Sequence, residues 1–134
     1  EAGAERTLRE LLGRDPRSAP VRFALGLSLV RQKRGAEALQ ELAQAVKLAP
    51  GNTRFAYVYA VALNDAGRRE QARRELEVAL KRHPNDRDLL LALALFERDA
   101  GHRERALVHA RRLAELEPDA PQIAELLREL GGGR

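Results

Sequence analysis

Four prolines, each 34 residues from the next, constrain this chain more than any other feature. Pro16, Pro50, Pro84 and Pro118 stand in DPRS (15–18), APGN (49–52), KRHPND (81–86) and EPDA (117–120). Proline has no backbone N–H and its ring clashes with the preceding turn, at a cost of ~3 kcal/mol inside a helix. Each therefore marks the end of a helix. A break that returns at a fixed period of some 20–50 residues is the signature of stacked supersecondary units.

The text between the prolines fits that reading. TRFAYVYAVALNDAG (53–67) reads as a helix closed by Gly67, a residue that tolerates the left-handed cap conformation. RREQARRELEVALKRH (68–83) then sets Ala72, Leu76, Ala79 and Leu80 on one amphipathic stripe. NDAGRREQA (64–72) repeats as RDAGHRERA (98–106), with six of nine positions identical at the same 34-residue offset. Apolar residues make up 44% of the 134, and Ala and Leu, both strong helix formers, dominate them. The chain is predicted to be all-α.

These residues resemble the tetratricopeptide repeat (TPR) family, whose helix–turn–helix units are 34 residues long and follow W-x2-L-G-x2-Y, then A-x3-F, then P. With units beginning at Ala19, Thr53 and Arg87, the matching positions are Leu25, Gly26 and Leu29, then Tyr59, Ala60 and Leu63, then Leu93, Ala94 and Glu97. The later alanine is Ala38, Ala72 or Ala106, and the large residue after it is Leu42, Leu76 or, as a departure, Ala110. Arg22, Ala56 and Leu90 replace the signature tryptophan. Glu97 and Ala110 predict the loosest packing in the last unit. The resemblance implies a right-handed α-solenoid of about eight helices. Residues 1–18 would be the second helix of a truncated unit, 19–52, 53–86 and 87–120 three whole units, and 121–134 a closing helix with a loose glycine-rich tail. Starting within a unit, the chain is expected to continue upstream. Gly26, Ala60 and Ala94 are expected at the crossing of the two helices of each unit, answered by Ala38, Ala72 and Ala106, so that the backbones can approach closely.

Catalytic chemistry needs converging groups, and the sequence offers none. Ser28 has no histidine near it in sequence and no G-x-S-x-G turn occurs. His102 and His109 lie two turns apart, about 10 Å along a helix, too far to share a metal. There is no cysteine, hence no disulfide and no thiolate site. We expect no enzyme activity, no metal and no cofactor. No apolar run reaches the roughly 20 residues of a membrane span. The net charge is +4, but the arginines alternate with glutamates and no aromatic is interleaved with the basic piece GRREQARREL (67–76), which disfavours nucleic acid.

The aromatics point elsewhere. Phe23, Phe55, Tyr57, Tyr59 and Phe96 all fall on the first helices of the units, and FAYVYAVAL (55–63) and LLLALALF (89–96) are unbroken apolar runs. In TPR stacks the first helices line the concave surface. By that resemblance the fifth, ninth and twelfth residues of each unit would line a groove: Phe23, Leu27 and Val30; Tyr57, Val61 and Asn64; Leu91, Leu95 and Arg98. Arg31, Asp65 and Asp99 would sit at its edge. Either these residues are simply core, or they form an apolar groove for a partner helix or peptide. With Phe23, Tyr57 and Leu91 at the fifth positions, the carboxylate clamp of chaperone-tail-binding TPRs is missing.

The function this implies is a protein–protein interaction scaffold, a segment of a larger protein that binds a protein or peptide partner. The alternative is a structural arm packing on its parent chain or, through the same groove, on a second copy as a homodimer. NTRFAYVYAVALNDAGRREQA also resembles C-terminal TPR arms of exported bacterial multihaem cytochrome-type proteins, which implies a bacterial source and a periplasmic setting. With Glu1 as first residue and no targeting segment, cytoplasm and periplasm both stay open.

Overall fold

The computed structural model describes residues 1–131, and among them it contains eight helices and no strand. They are α1 (Ala2–Arg14), α2 (Ala19–Arg31), α3 (Gly35–Leu48), α4 (Thr53–Asp65), α5 (Arg69–Arg82), α6 (Arg87–Asp99), α7 (Arg103–Leu116) and α8 (Pro121–Glu129). From α2 to α7, alternate helices begin 34 residues apart: at 19, 53 and 87, and at 35, 69 and 103. The tail expected after α8 lies, from Gly132 on, outside the described residues.

Two local devices impose this period. Two residues after each of the first three periodic prolines stands a helix N-cap. The side chains of Ser18, Asn52 and Asp86 accept from the backbone N–H of Val21, Phe55 and Leu89 at 3.4, 3.0 and 3.0 Å. Each satisfies one of the donors a helix start leaves orphaned, which is worth about 0.5–2 kcal/mol. The other device closes α2, α4 and α6. Lys33, Gly67 and Gly101 take φ of 60°, 81° and 82°, and the following N–H groups of Arg34, Arg68 and His102 reach back to the carbonyls of Leu29, Leu63 and Glu97 at 2.8–2.9 Å. That six-residue closure lets the next helix start at once.

The chain forms two compact bodies, Glu1–Glu75 and Leu76–Arg134, divided within α5. In the N-terminal body α2 packs on α1 and α3, and α3 on α4. Leu12, Leu25, Leu29 and Ala38 form one cluster, with Leu8 and Val21 against it. Arg22, at the first signature-tryptophan position, donates to Glu41 at 2.9 Å and to the Pro16 carbonyl at 3.1 and 3.2 Å, so polar ties stand in for a ring. In the C-terminal body α7 packs on α6 and α8. Ala94, Ala106, Leu107, Ala110, Leu126 and Leu130 make one cluster, and Leu90, Leu113 and Ile123 another.

Two packing details stand out. Leu42 of α3 lies directly against Gly26. A Cβ added to Gly26 would stand 2.7 Å from Leu42 Cδ2, well inside contact distance. Both departures in the last repeat are covered. Ala110 is fully buried, and Glu97 is 2% exposed on the buried face of α6. Ala94, Ala106 and Ala110 are buried in one cluster with Leu107, Leu126 and Leu130.

Candidate partner-binding surface

The residues expected to line a groove separate according to how their neighbours cover them. Phe23 is core, 4% exposed. Its ring stacks on Phe55, with centroids 4.4 Å apart and planes 21° apart, and the Arg54 guanidinium carbon lies 5.0 Å from its centroid. Aromatic stacking and cation–π attraction both favour that closed arrangement. Leu27, Val61 and Asn64 are half-buried. Val30 and Tyr57 are open, 44% and 38% exposed. Arg31 and Asp65 are exposed at the ends of their helices, and Arg31 donates to Glu1 at 2.5 Å.

The helical period explains the difference between the two tyrosines of α4. Tyr57 shares a face with Val61 and Asn64, at i+4 and i+7, whereas Tyr59 turns inward with Phe55 and Leu63. Burial, with the nearby Glu75 charge, raises the Tyr59 hydroxyl above its ordinary pKa, and Gln71 donates to it at 3.4 Å. Burial also raises Glu75.

In the C-terminal body the corresponding positions seat α8. Leu91 and Leu95 are half-buried and pack on the cluster that contains Leu126 and Leu130, and Leu91 also touches the cluster of Leu90, Leu113 and Ile123. Arg98 donates to Glu129 of α8 at 3.0 Å and to its neighbour Asp99 at 3.1 Å. Asp99 itself is exposed.

Beside Val30 and Asp65 lies a cleft of about 400 Å³ that the sequence did not reveal. Its walls are Val30 at the end of α2, Gly35 and Ala38 at the start of α3, and Ala62 and Ala66 at the end of α4, with Lys33 and Asp65 as its charged members. The signal that points to it is a break in the period, for Lys33 stands where the next two repeats have Gly67 and Gly101. Among the described residues no three His, Cys, Asp or Glu side chains converge to hold a metal, and no helix is long and apolar enough to cross a membrane.

Comparison with known proteins agrees with this architecture. A family model described as tetratricopeptide repeat matches residues 29–96, and a second of the same description matches residues 2–53. Among solved structures, MamA aligns with a TM-score of 0.80 at 18% identity, over 98% of this chain and 74% of that one. A tetratricopeptide repeat protein from Parabacteroides merdae ATCC 43184 aligns with a TM-score of 0.85 at 18% identity, over 96% and 52%. MamA from AMB-1 shares 27% identity at a TM-score of 0.72, over 90% and 67%. At 18% identity the likeness is one of fold. No curated protein sequence matches the chain.

Proposed function

We propose that this chain, which belongs to the tetratricopeptide repeat family, holds a helical or extended protein segment against the open face of its first helices. Repeat families of this kind are protein-interaction scaffolds, and the finer assignment concerns which residues meet the partner. The observation that carries it is the exposure of Val30 and Tyr57 on helices whose other large apolar residues are covered. Leu27, Val61 and Asn64 continue that face at helical spacing, with Arg31 and Asp65 at its edge. Phe23 supports the face from beneath, stacked on Phe55. Helix starts at 19, 53 and 87 support reading 19–52, 53–86 and 87–120 as its repeat units.

The test is a helical peptide selected from a displayed library against the immobilised chain, then synthesised and titrated. Tyr57→Glu and Val30→Glu are each expected to weaken it at least about tenfold, as loss of an interface anchor does. Circular dichroism should be unchanged, because both side chains are open to water. A selected peptide indifferent to both substitutions overturns the assignment. Sedimentation separates the second reading: a dimer that appears with concentration and disperses on Tyr57→Glu places another copy on this face.

A further inference from the structure

We infer that the cleft beside Lys33 is a socket for one apolar side chain of a protein partner, flanked in that partner by a carboxylate facing Lys33 and a basic group facing Asp65. The inference rests on the reading above that this side of the N-terminal body receives a protein.

Lys33 carries the argument. Its backbone makes the same turn as Gly67 and Gly101, with its N–H donating to the Val30 carbonyl at 2.9 Å where theirs donate to Asn64 and Arg98 at 3.0 Å. Glycine performs that turn without strain, whereas an L side chain at φ 60° is disfavoured. Lys33 is the one non-glycine residue with positive φ among those described. The turn therefore gains nothing from the lysine side chain, which forms no ion pair with any described residue. A backbone outlier of this kind argues for a use of the side chain it carries. Lys33 is one of two charged residues that line the cleft, the other being Asp65.

Asp65 is placed against local preference too. It is the last residue of α4, where the negative end of the helix dipole disfavours a carboxylate, and it also lacks an ion pair among the described residues. The remaining walls are Val30, Gly35, Ala38, Ala62 and Ala66. A cleft of about 400 Å³ admits a leucine- or phenylalanine-sized group but not a whole helix. A simple anion would be repelled by Asp65 and a simple cation by Lys33. A peptide with an apolar residue between opposite charges satisfies both.

The test titrates two N-acetylated, C-amidated tripeptides, Glu-Leu-Arg and Arg-Leu-Glu, into isotopically labelled protein and follows amide resonances. At least one should shift residues 30–38 and 62–66 saturably in the millimolar range, where single-anchor contacts fall. Gln-Leu-Gln and Glu-Gly-Arg should each bind at least about fivefold more weakly, a difference of about 1 kcal/mol. Lys33→Gly should raise the melting temperature while weakening the tripeptide by a similar factor, a combination that a structural role for the lysine would not give. Absence of shifts with both charged tripeptides overturns the socket, as does equal binding of Gln-Leu-Gln or unchanged binding to Lys33→Gly. Failure here with library peptides still sensitive to Tyr57→Glu sinks the socket alone. Tripeptide binding with library peptides indifferent to Tyr57 and Val30 sinks the face and keeps the socket.

Discussion

Nδ1 of His102 lies 3.0 Å from Oε1 of Glu97, a carboxylate that is 2% exposed and that occupies the register held by Leu29 and Leu63 in the preceding repeats. The geometry follows from the turn between them, since the His102 N–H also donates to the Glu97 carbonyl at 2.8 Å. Arg105 adds a cation 3.9 Å from the other carboxylate oxygen. A carboxylate thus sits in a leucine site because the next turn supplies its partners.

Taking a charge out of water costs several kcal/mol, and pairing repays this only in part. Glu97→Leu should therefore stabilise the protein, by on the order of 1–3 kcal/mol, since His102 and Arg105 can turn to solvent. His102→Ala should destabilise it by about 1–3 kcal/mol, because the buried oxygen loses its near partner. Urea titration of the two variants gives opposite signs if the pair acts this way.

The contact between Gly26 and Leu42 predicts a coupled pair. Gly26→Ala gains about 1 kcal/mol of helix propensity but overpacks Leu42, at a cost of about 1–3 kcal/mol. Leu42→Ala alone should cost about 2–5 kcal/mol. Together they should cost less than the sum by about 0.5–3 kcal/mol, the range for residues in contact. Ala94 and Ala110, the pair at the corresponding register of the last repeat, are both fully buried. Additive losses in the double-mutant cycle would show that the two do not meet.

Stability also separates Phe23 from Tyr57. Phe23→Ala should cost about 3–5 kcal/mol, the range for a buried ring. Tyr57→Ala should cost no more than about 1 kcal/mol, as an open side chain does. Equal losses in a denaturant titration would place both residues in the core.

Glu5 predicts an acid limb in the stability curve. Arg9 and then Arg34 hold its carboxyl down at about pKa 2, with hydrogen bonds of 2.8 and 2.6 Å, against an ordinary value of 4.5. A folded-state pKa below the unfolded one means that the unfolded chain binds more protons in this window. The contribution is complete above pH 4.5 and is lost as pH falls through about 2. Glu5→Gln should flatten the pH dependence of the melting temperature in that window, and molar salt should shrink the difference, because these groups are near solvent.

The repeat was legible because its determinants are local. Pro16, Pro50, Pro84 and Pro118 each stand two residues past a helix end, Gly67 and Gly101 permit the closing turn, and Leu–Ala stripes at helical spacing need a neighbour to cover them. The capping role of Ser18, Asn52 and Asp86 follows the same period and was there to be read two residues after Pro16, Pro50 and Pro84. The surface was less legible. Phe23 and Tyr57 hold equivalent register positions, yet one is stacked beneath Phe55 and Arg54 and the other is open. Leu91 and Leu95 are half-buried and pack on the cluster that holds Leu126 of α8 and Leu130, a contact with no local signal. Lys33 carried a signal in sequence, a lysine in a glycine register, but its meaning depends on a cleft that Ala62, Asp65 and Ala66 of the next repeat help to wall.

The order of residues alone determined where helices start and stop, their period, and the face each must bury, because caps, prolines and side-chain spacing act within a turn or two of backbone. Which apolar residues stayed open, and where a glutamate could be sheltered, only the tertiary structure decided. Exposure depends on the size of whatever crosses each helix, and no residue carries that information in its own neighbourhood.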